Sequence, residues 1–174
     1  LRNGRMDAPI QVIGNVGAVI KGAGQAIVIE LNHDYFSLIN IEIDGKIAAA
    51  EQPDSYREKL LVVRGQAAST GITGITGVRL VRLLLRNAGR ECLRLKYFAQ
   101  HNEIAHSMFH RCGVWDFELG GDGKNGEAIY IGTAPEQRYR NPTTDPDASN
   151  SNWIHHNLFD TQGNECVDIK ESSE

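Results

Sequence analysis

Cysteine is scarce in this 174-residue chain: Cys92, Cys112 and Cys166 are the whole supply, and none sits in a C-x-x-C or histidine-spaced pattern. That spacing excludes the usual structural zinc sites, and an odd number leaves at least one thiol unpaired. All three read as small, half-buried thiols. No apolar run reaches the ~18 residues that a membrane-spanning helix needs, so membrane insertion is not expected. A signal-peptide pattern is lacking too, and residue 1 is Leu rather than Met, so the chain reads as a mature or excised piece. Apolar residues at helical spacings of three and four are missing, as is a D-x-D-type calcium loop. What remains is ordinary soluble composition, long enough for one domain with a sizeable core that needs neither metal nor disulfide to hold it.

The formal net charge of −4 conceals a segregation. Residues 57–96 carry nine Lys or Arg against Glu58 and Glu91, whereas residues 141–174 carry seven carboxylates and one lysine. A nucleic-acid partner for the whole chain is therefore not expected.

Three phrases repeat: GRECLRLKY at 89–97, NGEAIYIGT at 125–133 and GNECVDIKESSE at 163–174. Extended upstream, the alignment starts at Gln25, Glu58, Glu91, Glu127 and Glu165. Two residues on come Ile27, Leu60, Leu93, Ile129 and Val167, then Ile29, Val62, Leu95, Ile131 and Ile169. Apolar residues two apart predict a short strand with one buried face in each copy. A second phrase precedes three of them: VRLVRLLLRNAG (78–89), NEIAHSMFHRCG (102–113) and NWIHHNLFDTQG (152–163), with FSLINIEIDG (36–45) a looser version. Its I-x-x-N-x-F spacing, as in Ile154, Asn157 and Phe159, predicts a strand bent by a small turn. Residues 45–57, 120–126 and 134–151 read as polar loops, the last on its Pro, Asp, Asn and Ser content.

Short strands and a repeat in the thirties without helical period predict an all-β solenoid of stacked parallel strands. N-x-I-x-x-N-x-F followed by G-x-E-x-I-x-I resembles the right-handed parallel β-helix of the pectin-lyase-like superfamily, over essentially the whole chain from PIQVIGNVGAVIKGAGQAIVIE (9–30) to VDIKE. The resemblance implies a single domain over residues 1–174, about five coils with long loops, cut from a longer solenoid. It also implies secretion and a polysaccharide partner. It is weak for activity, because such coils carry lyases, hydrolases, epimerases, tailspikes and adhesins. The pectate-lyase, polygalacturonase and alginate-epimerase motifs are not written here; DPD at 145–147 lies in a loop and lacks the histidine of D-P-H-D.

In such a coil, matching residues stack ~4.8 Å apart and can be read as columns. Core columns are Leu80, Ile104 and Ile154; Leu83, Ser107 and Asn157; Leu85, Phe109 and Phe159. Asn157 is expected to bond the backbone of its turn. The glutamate column leaves two readings open: each carboxylate accepts N–H groups from the preceding turn, or calcium, or Arg90 and Lys59, neutralises part of the row.

Outward columns gather Arg79, Glu103 and Trp153; His155; Arg82, His106 and His156; and Arg86, His110 and Asp160. The candidate catalytic residues are His106 or His156 as base, with Arg82 on the substrate carboxylate. Candidate substrate-binding residues are Trp153, Arg79, His155, Asp160 and Tyr130. Such a set suits an acidic sugar, since Arg forks a uronate carboxylate, Trp stacks on a pyranose and His moves protons near neutral pH. A smaller column holds Arg94, Tyr130 and Asp168 beside Lys96 and Lys170. Cys92 and Cys166 lie two coil steps apart in their column, too far for a disulfide. No resident metal or cofactor is assigned, calcium on the glutamate row excepted. The alternative to lyase or epimerase chemistry is a non-catalytic extracellular module that stacks end to end with a second copy or further coils.

Overall fold

The computed structural model describes residues 2–68, 71–161, 163–170 and 173. Among the described residues three five-stranded parallel sheets form the body of the molecule, with two small two-stranded sheets beside them. The first contains Ile10–Ile13, Phe36–Ile39, Arg79–Val81, Glu103–Ala105 and Trp153–His155. Val19–Lys21, Glu42–Asp44, Leu84–Arg86, Met108–His110 and Leu158–Asp160 form the second. Ile27–Leu31, Lys59–Arg64, Leu93–Lys96, Ile129–Ile131 and Val167–Ile169 form the third. The chain visits the sheets in turn, and each strand lies beside its counterpart from the neighbouring circuit. This is an all-β, solenoid-like stack of parallel strands.

The stacking follows from the alternation. Leu80 pairs with Ile104 and that with Ile154, while Leu85, Phe109 and Phe159 align on the second sheet. Leu80, Leu85, Ile104 and Phe109 are buried in one continuous core with Leu93, Leu95 and Ile129. Phe109 stacks on Phe159 with ring centroids 5.2 Å apart.

From the second circuit onward the corner between the first and second sheets is two residues wide, and the first of the two makes the bend. Asn40, Arg82, His106 and His156 occupy it in successive circuits, all left-handed at φ 58°, 54°, 52° and 54°. That conformation costs a non-glycine residue about 1–2 kcal/mol and is easiest for Asn. Inter-circuit hydrogen bonds hold it. Asn157 Oδ1 accepts from the Ser107 amide at 2.9 Å, and its Nδ2 donates to the Ile104 carbonyl at 2.9 Å. Asn157 therefore ties down the turn of the preceding circuit rather than its own. Ser107 Oγ in turn accepts from the Leu83 amide at 3.0 Å. Asn157→Ala leaves a partly buried amide and carbonyl without partners and is expected to cost about 1–2 kcal/mol in denaturant unfolding. A loss under about 0.3 kcal/mol would place the bend's stability elsewhere.

Two expectations need correction. The glutamate column does not run through all five copies: Ile27 pairs with Lys59, and Leu93 pairs with Leu61 rather than Leu60. Gln25 and Glu58 thus fall out of line, and Lys59 stands above Glu91, Glu127 and Glu165. The cause lies in Leu60, Leu61, Val62 and Val63, which are all buried, so this strand has no alternation from which a phase could be read. The cysteines are not all free thiols either. Cys92 and Cys112 form a disulfide, and Cys166 is free and exposed. Cys112 ends the strand–turn segment that runs beside residue 92's circuit, a proximity that column stacking does not show.

The predicted loops lie outside the sheets. Residues 45–57 include a 3-10 turn at Pro53–Ser55, and residues 134–151 include another at Pro135–Arg140. A hairpin of Gln66–Ala68 with Gly71–Thr73 was not expected. Asp147, from the DPD triplet, is buried and accepts the amides of Tyr97 and Phe98 at 2.6 and 3.0 Å. Both of those residues are left-handed, so the loop clamps the turn that follows Lys96. Residues 171, 172 and 174 of the closing ESSE lie outside the described residues.

Candidate functional site

Side chains that could do chemistry fall into three groups, one near each sheet. At the corner, His106 stacks on His156 with centroids 4.9 Å apart, and His155 Nδ1 lies 2.8 Å from His156 Nδ1. Glu103 Oε1 reaches His155 Nε2 at 3.3 Å, while its other oxygen accepts from Arg79 Nε at 2.6 Å. The Arg79 guanidinium holds the Glu103 carboxyl below the usual carboxylate range. Trp153 is 64% exposed and stacks on His155 at 3.9 Å. Six expected residues are therefore neighbours in a chain: Arg79, Glu103, His155, Trp153, His156 and His106. Arg82 precedes them in the corner column and lines a shallow depression with Asn40 and Glu42.

Asp160 belongs elsewhere, on the second sheet, where it accepts from His110 Nδ1 at 2.9 Å. Lys21, Asp44, Arg86, His110 and Asp160 stand in register there. Above them opens a polar cleft of about 570 Å³, walled by Lys46, Ile47 and Arg111. Its cations are already neutralised: Arg86 pairs with Glu42 at 2.6 Å and Asp44 at 3.1 Å, Arg111 with Glu118 at 2.5 Å, and Lys46 with Glu51. Burial raises the Asp44 carboxyl, but hydrogen bonds from Asn87 and the Lys46 amide, with Arg86, more than offset this and leave it lowered.

Tyr130 is on the third sheet, away from the histidines. Its register neighbours are Arg94 and Asp168. Arg94 lies over the Tyr130 ring at 4.3 Å and Lys170 at 5.0 Å. Burial raises the phenol, so it stays protonated at neutral pH. Lys96 pairs in register with Arg64 and sits two residues beyond Arg94. Burial, with Arg94 and Arg64 beside it, pushes the Lys96 ammonium down to about 8. Among the described residues no carboxylate lies within ion-pair distance of it. Arg94 meets Glu91 at 3.1 Å and Arg64 meets Glu30 at 2.5 Å.

At the lower end of this sheet the three remaining glutamate-row residues separate. Lys59 reaches Glu91 at 3.3 Å and also pairs with Glu58, so a side-chain cation meets the top of the row. Glu127 Oε2 accepts from the Gly126 amide at 3.0 Å, and burial raises its carboxyl, with Glu91 and Asp168 adding to the rise. Glu127, Glu165 and Asp168 bring one oxygen each within 4.8 Å of one another, a hard donor set of the kind calcium takes. Lys170 already pairs with Asp168 there.

Sequence reasoning placed Lys96 and Arg94 on a solvated face and did not single them out. A clue was available: four Lys or Arg at 59, 64, 94 and 96 fall on adjacent strands of one sheet, which depresses whichever ammonium is most buried.

An all-β parallel solenoid with a basic, tyrosine-centred third sheet is the class that fold and site define. Against known proteins, no protein-family model matches the sequence, and no curated protein matches it. A solved structure does resemble it: the alginate lyase from Paenibacillus sp. str. FPU-7, with a TM-score of 0.68 and 16% identity. The likeness covers 99% of this chain and 50% of the lyase, so this chain spans half that protein's length. At that identity the comparison shows the shared parallel-β fold. Among the described residues no helix is long and apolar enough to cross a membrane.

Proposed function

We propose that this is a secreted right-handed parallel β-helix protein of about five coils, of the pectin-lyase-like kind, that binds an acidic polysaccharide across its third sheet and cleaves it by β-elimination. The observation that carries the reading is Lys96, an ammonium pushed down to about 8 by burial and by Arg94 and Arg64, on the same strand as an Arg94 that lies over the protonated Tyr130 ring at 4.3 Å. About a tenth of such a lysine is neutral at pH 7. Arg94, with Arg64, faces the uronate carboxylate and stabilises the enolate-like charge that develops on it. Neutral Lys96 takes the proton at C5. The C4–O bond breaks, Tyr130 gives its proton to the departing oxygen, and a C4=C5 double bond forms in the new end sugar. Proton transfer from Lys96 to Tyr130 through solvent resets both.

The fold shared with an alginate lyase supports this reading, and the Cys92–Cys112 disulfide supports an oxidising, extracellular setting. The corner reading, with His106 or His156 as base and Arg82 on the carboxylate, is favoured by the exposure of both imidazoles. Calcium on Glu127, Glu165 and Asp168 would add to the field beside Tyr130, and a chelator that leaves turnover unchanged removes it from consideration.

Incubation with alginate, polygalacturonate and glycosaminoglycans should produce ultraviolet absorbance from unsaturated products and matching reducing ends with at least one of them. Absence of both signals on every polymer, together with concentration-dependent self-association in light scattering, would favour the stacking extracellular module instead.

A further inference from the structure

We infer that His106, His155 and His156 form a divalent transition-metal site at the corner between the first and second sheets, separate from the third-sheet chemistry. Their nearest ring nitrogens all lie within 4.8 Å of one another. The fold, not chance rotamers, brings them together. His106 and His156 hold the same corner position in neighbouring circuits, both left-handed, which directs both imidazoles to one side. His155 precedes His156 and projects from the strand that pairs with Glu103–Ala105.

Glu103 fixes which nitrogen is offered. As it faces His155 Nε2 at 3.3 Å, the hydrogen of that imidazole sits on Nε2 and its Nδ1 carries a lone pair. That lone pair meets His156 Nδ1 at 2.8 Å, a contact one shared hydrogen satisfies. A metal ion replaces that hydrogen when His156 shifts its own to Nε2; ligand bonds of about 2.0–2.1 Å then need the two nitrogens to part by only about half an ångström. Arg79 holds the far side of Glu103 at 2.6 Å, and Trp153 covers the His155 ring at 3.9 Å, so the first ligand is oriented before metal arrives. The donors are all imidazole, which selects zinc, copper(II) or nickel over calcium or magnesium. His106 and His156 are exposed, leaving a fourth position open to water.

The test is calorimetric titration of ZnCl2 into tag-free, chelator-stripped protein, with Co2+ visible absorption as a second readout. One ion per chain with micromolar or tighter affinity is expected, with the intense bands of tetrahedral cobalt. His106→Asn/His156→Asn keeps residue types that accept the left-handed corner, as Asn40 does, and should weaken binding at least 100-fold with unfolding unchanged. Glu103→Gln should weaken it about 10-fold while leaving the cobalt bands in place, the mark of a positioning residue. Absence of binding at 100-fold excess zinc, or binding that survives the double substitution, overturns the assignment. Neither result bears on cleavage at Lys96, which is read by product absorbance.

Discussion

Lys96→Met is expected to lower polysaccharide cleavage by at least about 100-fold, the usual worth of a positioned proton acceptor, and at the same time to stabilise the fold at pH 7. Both effects have one cause. The ammonium ionises at 10.5 in the unfolded chain and at about 8 in the folded one, because burial and the Arg94 and Arg64 charges oppose it. Between those values the unfolded chain binds more protons, so stability rises with pH; below pH 8 the full cost of charging this site is present. A pKa difference is worth about 1.4 kcal/mol per pH unit, and partial exposure and screening reduce the expected gain to about 2 kcal/mol. Methionine keeps the length of the stem and carries no charge, so the variant should melt about 4–8 °C higher. Denaturant unfolding at pH 7 and at pH 10.5 checks it: the gain should shrink at the higher pH. A variant that is destabilised at pH 7, or whose gain is the same at both, contradicts the buried-ammonium argument. Stability given up for a reactive group is the pattern expected of a working site.

Removing the Cys92–Cys112 disulfide is the second large effect. The bridge closes a segment with a sequence separation of 20 and joins two fully or nearly buried residues. Loop-closure entropy for a segment of that length predicts a loss of about 3 kcal/mol, or about 6–12 °C in melting temperature. Cys92→Ala/Cys112→Ala leaves small apolar residues in the same places and isolates the cross-link from side-chain burial. A shift under 2 °C would show that the stacked circuits, not the bridge, fix this end of the third sheet. Reduction of the wild type with dithiothreitol should reproduce the variant, since Cys166 is not part of the bridge.

Much of the fold was legible because its repeated parts sit at corners. Asn157 and Phe159, with their counterparts Ser107 and Phe109, fixed the register of the first two sheets, and every paired column read from them recurs in the structure. The third sheet was legible only from residue 91 onward. Upstream, four consecutive apolar residues at 60–63 satisfy either phase of a strand, so nothing local separates Glu58 from Lys59 as the first outward position. The disulfide was illegible for a different reason: Cys112 reaches Cys92 through a turn rather than by stacking, and turns carry no period. At the site, the histidine corner was readable because His106 and His156 share a column and His155 directly precedes His156. Lys96 was not, since its depressed ionisation arises from burial and from charges on two strands, which no single segment displays.

The direct test of the third-sheet site is cleavage of the responsive polysaccharide by three proteins side by side: wild type, Arg94→Gln/Lys96→Met, and His106→Asn/His156→Asn. Unsaturated product should form with wild type and the histidine variant and be lost with the third-sheet variant. Product from the third-sheet variant with none from the histidine variant would move the chemistry to the corner and contradict the assignment made to Lys96.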